Sequence, residues 1–572
     1  MRSLIIGSLF FVLLFTLPAT AEVYEVGPGQ TYESLGQVPF ESLNPGDEVN
    51  IHYRAEPYRE KFVLCRQGTE AAPIIIRGLP GPEGQRPVIS GENATTRSEL
   101  NFWNEPRGLI KIGGANTPPD TMPAWIVIEG LSLRSVRPAF SFTGRDGQAT
   151  YASNAASVYI EKGEHIVLRD LELHDSGNGL FCGSQTTDLL VEGCHIHGNG
   201  IEGSYYEHNN YTEALNIVFQ YNHFGPLRAG CGGNNLKDRS AGLVVRYNWI
   251  EGGNRQLDLV DAEGSQDLVQ HPSYERTYVY GNLLIEAEGE GNSQIIHYGG
   301  DSGTTSDYRK GILHLYNNTI VSTRDGNTTL LRLSTNDEHA DVRNNIIYAT
   351  AGGSRLAMLD GDGQLSLSHN WLNENYRDSH SGLSGTITDA GGNLEGTTPG
   401  FENLNAQDFH LAEGSACINA SGDLHADADA YPLSTQYVRH QSSEDRPLSG
   451  VLDIGAYEVC PLGGCESTDG GIGEDAGTEE DAGVEEDAGT EEDAGVEEDA
   501  GVEEDAGVEE DAGVEEDAGT EEDAGTLADA GTTNDEDGGS VDGGCGCNTN
   551  ATAQGLPLLF LLFWGLLRRK KT

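Results

Sequence analysis

Residues able to move protons or hold ions gather between positions 205 and 334. The stretch NNLKDRSAG (234–242) carries Lys237, Asp238 and Arg239, and QLDLVDAEG (256–264) carries Asp258, Asp261 and Glu263. QIIHYGGD (294–301) adds His297 and Asp301, and LLRLS (330–334) adds Arg332. A lysine beside arginines suits removal of a proton alpha to a carboxylate, because a cation can lower the base's pKa while another neutralises the carboxylate. Paired acids suit hydrolysis of a glycosidic bond. Asp258, Asp261 and Glu263 are enough carboxylates to chelate a calcium ion if they converge. Upstream, YYEHNNYTEA (205–214) holds Tyr205, Tyr206, Glu207, His208, Tyr211 and Glu213, in which aromatic rings could stack on sugars.

The elements that must position these groups are short strands. Through residues 22–459, β-branched runs alternate with Gly, Asn and Asp turns, and no helical stripe competes with them. One pattern recurs, as VFQYNHF, VVRYNWI, YVYGNLL, LHLYNNTI, DVRNNII and LSLSHNWL, with Asn222, Asn248, Asn282, Asn318, Asn345 and Asn370 at the turn. Degenerate earlier copies put Gly78, Gly130, Asp170 and Cys194 there. A period in the twenties to thirties with one such motif per unit is the mark of a solenoid. It predicts an all-β, right-handed parallel β-helix of about ten coils, each coil stacking its inward residues on the next. Asparagines repeated at a bend are expected to ladder and to satisfy backbone groups that no strand reaches. Aligning coils on these asparagines brings GLFCG (179–183), NLKDR (235–239), QLDLVD, QIIHYGGD and LLRLS onto one sheet. Alternation then points Leu236, Leu257 and Leu331 inward and sets Lys237, Asp258, His297 and Arg332 in an outward row. Such a row is either a subsite for a glycan or a charge ladder whose opposite signs neutralise one another. Asp238 is expected to face inward or to pair with Arg239.

The entry segments VYEVGPGQTY, NPGDEVNIHYR and KFVLCRQGTEAAPIIIRG resemble the first coil of pectate-lyase-like β-helix proteins, and HLAEGSACINAS and VLDIGAYE resemble the last coil and closing strand of that superfamily. The resemblance implies a polysaccharide-binding groove on the sheet named above. It implies a lyase in which Lys237 is the base, and Arg239, Arg332 or a calcium ion on Asp258, Asp261 and Glu263 neutralises a uronate. Tyr205, Tyr206, His208, Tyr211, His297 and Asp301 would then bind substrate. The K-x-R-S block is similar to the lysine strand of the alginate and chondroitin lyase branch, although AGCGG (229–233) stands where that branch carries its acidic calcium pair. A hydrolase using two of Asp258, Asp261, Glu263 and Asp301, and a non-catalytic glycan-binding adhesin, are the alternatives. No dinucleotide fingerprint, P-loop, zinc spacing or nucleophile elbow is present. The CHIH stretch (194–197) is not expected to bind metal, because alternation separates its ligands and Cys194 holds a buried position.

The ends set the compartment. Residues 1–21 read as a signal peptide, with Arg2, an apolar run and small residues Ala19 and Ala21 before the expected cleavage. Residues 460–547 form a spacer built on EEDAGV and EEDAGT repeats, which are too charged and too poor in apolar residues to bury a core. Residues 548–572 hold a short apolar run closed by RRKK, less than the ~20 residues of a spanning helix. With Cys545 and Cys547 just before it, this end resembles myxobacterial surface-sorting signals, which implies display on the outer membrane surface. Of the net charge of −57, residues 466–547 supply 33 acids and the RRKK end four cations, which leaves −28 on the remainder. That charge argues against nucleic acid as a partner and leaves polysaccharide as the expected one. A monomer is expected. Nine cysteines in 572 residues are too sparse to be the framework of the fold.

Overall fold

A computed structural model describes residues 21–447 and 450–460. The signal segment, the acidic spacer beyond Cys460 and the C-terminal segment lie outside the described residues. Within them, three parallel ladders form a β-helix, as the repeat implies. Each coil runs through a first strand, a turn that bears Asn from Asn222 onward, a second strand, a loop and a third strand. The coil around Asn222 is representative, with strands Leu215–Gln220, His223–Phe224 and Leu236–Asp238 followed by Ala241–Arg246 of the next coil. The first ladder extends from Val23–Val26 to Thr386–Asp389, the second from Val88–Ser90 to Leu394–Gly396, and the third, the groove sheet, from Glu60–Leu64 to Leu356–Leu359. The second ladder holds eleven strands, close to the ten coils expected.

Period-2 alternation explains the interior. Leu168, Val191, Phe219, Val245 and Val279 pair directly from coil to coil and are all fully buried. At about 1.5–3 kcal/mol for each large apolar side chain removed from water, such rows hold the stack together. The turns are locked by side-chain amides. Asn248 donates through Nδ2 to Asn282 Oδ1 at 2.9 Å, Asn282 to Asn318 at 2.9 Å, and Asn318 to Asn345 at 2.9 Å. Each Oδ1 also accepts the backbone N–H of the asparagine one coil earlier. The ladder runs on to Asn393, one coil beyond the motifs legible in sequence. The early copies need a shift of one residue. Register aligns Leu131 and Leu171 with Cys194 and Asn222, and Gly130 and Asp170 occupy the left-handed position just before. Aliphatic side chains therefore replace the amide ladder in the first coils.

The C-terminal segments do not form a last coil as their sequence suggests. Residues 397–447 and 450–460 fold back over the outer faces of the first two ladders, where Phe409 and Tyr437 pack on Trp249, and Leu411, Cys417 and Ile454 pack on Ile346 and Trp371. The outward residues of these coils are apolar and need cover.

Candidate active site

On the groove sheet the expected outward row is present in register. Tyr211 pairs with Lys237, Lys237 with Asp258, Asp258 with His297 and His297 with Arg332. Leu236, Leu257 and Leu331 face the core, fully buried. Upstream the same row is aromatic: Tyr159, Phe181 and Tyr211 succeed one another, with Phe181 and Tyr211 edge-to-face at 5.4 Å.

The charged part of the row is not a solvated surface. Lys237 is only 7% exposed and bridges two carboxylates, Asp258 Oδ2 at 2.6 Å and Asp301 Oδ2 at 2.5 Å. Asp258 also accepts from Asn234 Nδ2 at 2.7 Å and contacts His297 Nδ1 at 2.7 Å, and His297 Nε2 meets Ser334 Oγ at 2.9 Å. Burial alone would lower the pKa of Lys237, but Asp258 and Asp301 outweigh it and hold it raised. This corrects the expectation of a lysine activated as a base, because the ammonium is locked in its charged form. Burial opposes ionisation of Asp258 and Asp301, yet the neighbouring cations keep both below the ordinary range.

Arg239 forms a second centre. Its Nε donates to Tyr211 Oη at 2.9 Å, its Nη1 to the Asp261 carbonyl at 2.6 Å, and its Nη2 lies 2.8 Å from Asp301 and 3.4 Å from Glu263. Asp238 turns inward and pairs with buried Arg309 rather than Arg239, at 3.3 Å, while accepting from Thr212 and Ser240. It belongs to the wall. Glu213 is the residue that sequence reasoning left without a role. Thr212 pairs with Asp238, so alternation sets Glu213 outward beside Arg239. Burial, opposed by Arg239 and reinforced by Glu263 and Asp238, pushes its carboxyl from 4.5 to about 7. Its Oε1 is buried without a hydrogen-bond partner. The signal that could have found it is its i+2 spacing from Tyr211.

The remaining expected residues separate into two groups. His208 is buried behind Tyr211, its Nδ1 accepting from Asn234 N–H at 2.8 Å. Burial and the Lys237 charge lower its pKa to about 3, so it is neutral and carries its proton on Nε2. Tyr205 and Tyr206 are exposed, 67% and 54%. Tyr205 lines a cleft of about 240 Å³ with Gly203, Gly230, Cys231, Gly232, Asn254 and Gly291, at the turns leading into the groove strands. Arg332 is half-buried and has no hydrogen bond or ion pair among the described residues.

The proposed calcium ligands do not converge. Asp258 is taken by Lys237, Asn234 and His297. Asp261 accepts from Asp301 N–H, from the backbone and hydroxyl of Ser302, and faces Arg239. Glu263 faces Arg239. With cations and N–H groups already on their oxygens, these three carboxylates do not fit a calcium ion. Among the described residues the sets of ligand atoms close enough for one ion lie elsewhere, at Glu172, His195 and His197 and at His314, His425 and Asp427.

The fold and the row define a parallel β-helix with a buried charge cluster on its groove sheet. No family model and no curated protein matches the chain. Among solved structures it is similar to the pectate lyase Pel9A, at 10% identity and a TM-score of 0.40, over 77% of this chain and 97% of that one. An alginate lyase from Paenibacillus sp. str. FPU-7 matches at 12% identity and a TM-score of 0.35, over 60% and 93% of the two chains. A GH136 lacto-N-biosidase from Eubacterium ramulus matches at 12% identity and a TM-score of 0.40, over 66% and 68%. At these scores the likenesses carry no argument about chemistry, and the fold rests on the strand registers.

Proposed function

We propose that this chain cleaves polysaccharide along the groove sheet by acid–base chemistry, with Glu213 as proton donor and Asp301 as its ionised partner. The observation that carries this reading is the placement of two carboxyls around one arginine: Glu213, its Oε1 buried and unpartnered, on one side, and Asp301, held between Arg239 and Lys237, on the other. Glu213 is held protonated up to about pH 7, whereas Asp301 is held ionised by Lys237 and Arg239. A pair driven apart in this way divides the roles of acid and base. Glu213 would protonate the leaving glycosidic oxygen, and Asp301 would activate water or attack the anomeric carbon. Lys237 and Arg239 position Asp301, while Phe181, Tyr211 and the exposed Tyr205 and Tyr206 offer faces for sugar rings. Secretion and display at the cell surface belong to the same proposal, supported by the signal-like first 21 residues and the RRKK end.

Elimination from a uronate-containing glycan is the second reading. It is favoured by Arg332, an unpaired guanidinium on the groove row that could neutralise a substrate carboxylate. It requires a base other than Lys237. Incubation with neutral and uronate glycans separates the readings. New reducing ends without ultraviolet absorbance support hydrolysis, and unsaturated uronate products support elimination. Retained glycan binding with neither product would identify an adhesin and refute both.

A further inference from the structure

The outer face of the first ladder holds a buried imidazole with nothing to bond. His314, on strand Ile312–Tyr316, is 1% exposed, and both its ring nitrogens are buried without a hydrogen-bond partner. A neutral imidazole always carries one N–H and one lone pair, so two orphaned nitrogens leave an uncompensated cost that calls for an unseen partner. The fold-back segment supplies the rest of a ligand set, in which His425 Nδ1 accepts the Asp427 N–H at 3.1 Å, a bond that a metal on either ring nitrogen would replace. His425 and Asp427 cross over His314, and one donor atom from each of the three lies within 4.8 Å of the others. His314 Nε2 and Asp427 Oδ2 are 4.0 Å apart, and the two imidazole rings are 4.9 Å apart.

We infer that His314, His425 and Asp427 bind a divalent transition metal, zinc by donor type, and that this ion clips the C-terminal segment onto the β-helix. Two imidazoles and one carboxylate with a fourth position open to water suit zinc; calcium and magnesium prefer all-oxygen shells. Arg276 Nε shares Asp427 Oδ2 at 3.1 Å, but that arginine is half exposed and leaves the second carboxylate oxygen available. The site lies at a mechanical junction. Tyr278 and Tyr316 donate to the carbonyls of Asp427 and Tyr431 of the same segment at 3.0 and 2.7 Å, so an ion here would complete a line of polar ties across successive coils.

The test uses the full chain, stripped with chelator and titrated with Zn²⁺ and Co²⁺. Binding is followed by metal content after gel filtration and by the visible Co²⁺ spectrum, and stability by the thermal midpoint. Wild type is expected to retain this equivalent, to show a low-coordinate Co²⁺ spectrum and to melt higher with zinc. His425→Ala and Asp427→Asn, on half-buried positions of the fold-back segment outside the coils, should each lose one equivalent and the zinc-dependent rise. Because the acidic repeats and the Glu172, His195, His197 group could also take metal, His195→Ala is the control and should keep both signals. If the His425 and Asp427 variants bind and melt as wild type does, or if His195→Ala abolishes the signal instead, the assignment is wrong.

Discussion

Replacing Glu213 with glutamine keeps the shape of the side chain but removes the proton it can release. In the protein its carboxyl is displaced from 4.5 to about 7, which corresponds to about 3 kcal/mol favouring the protonated form. Half-burial leaves some water near the group, so roughly 2 kcal/mol is a fairer expectation. The sign follows from linkage. A pKa raised on folding contributes stability that is complete below the ordinary value of 4.5 and is lost as the pH rises through about 7. Wild type should therefore weaken between about pH 4.5 and 7 through this residue, and Glu213→Gln should not. At pH 8 the variant should be more stable than wild type, whereas at pH 5 the two should be close. Activity should move the other way, falling about 10²–10⁴-fold as expected for loss of a general acid, with the alkaline limb near pH 7 lost. Reducing-end release and urea denaturation at both pH values measure the two effects. A purely structural glutamate would lose stability with no specific loss of turnover, so a variant that is destabilised at pH 8 and normally active would refute the assignment.

Two further outcomes follow from the same geometry. Lys237→Ala should cost about 3–5 kcal/mol in urea denaturation, because it strands Asp258 and Asp301 without their shared cation in a buried site. The outward position alone suggests a harmless substitution, and adding Asp301→Asn should recover part of the loss. Asn282→Ala should cost at least about 3 kcal/mol, since it takes the acceptor from the buried Asn248 N–H and Nδ2 and a donor from the Val245 carbonyl; a much smaller loss in the thermal midpoint and in urea would mean the ladder is dispensable.

Much of the architecture was legible because its physics is local. Alternation of period two, turns with Asn after a left-handed residue, and a repeat of fixed length determine a coil, and stacking coils determines the outward row of Lys237, Asp258, His297 and Arg332. Where one residue of ambiguity remained, at Gly130 and Asp170, the sequence lacked the amide that marks the turn. Tertiary structure decided what the row is worth. Sequence places Lys237 beside Asp258, but only the turn after His297 brings Asp301 to its other side and turns a candidate base into a fixed cation. Asp238 looks like the partner of Arg239, but Arg309, 71 residues on, claims it. The carboxylates at 258, 261 and 263 look like a calcium set, but the cations of neighbouring coils divide them. Charge state in a buried cluster depends on which groups arrive from distant coils and how much water they exclude. Neither is written in spacing along the chain.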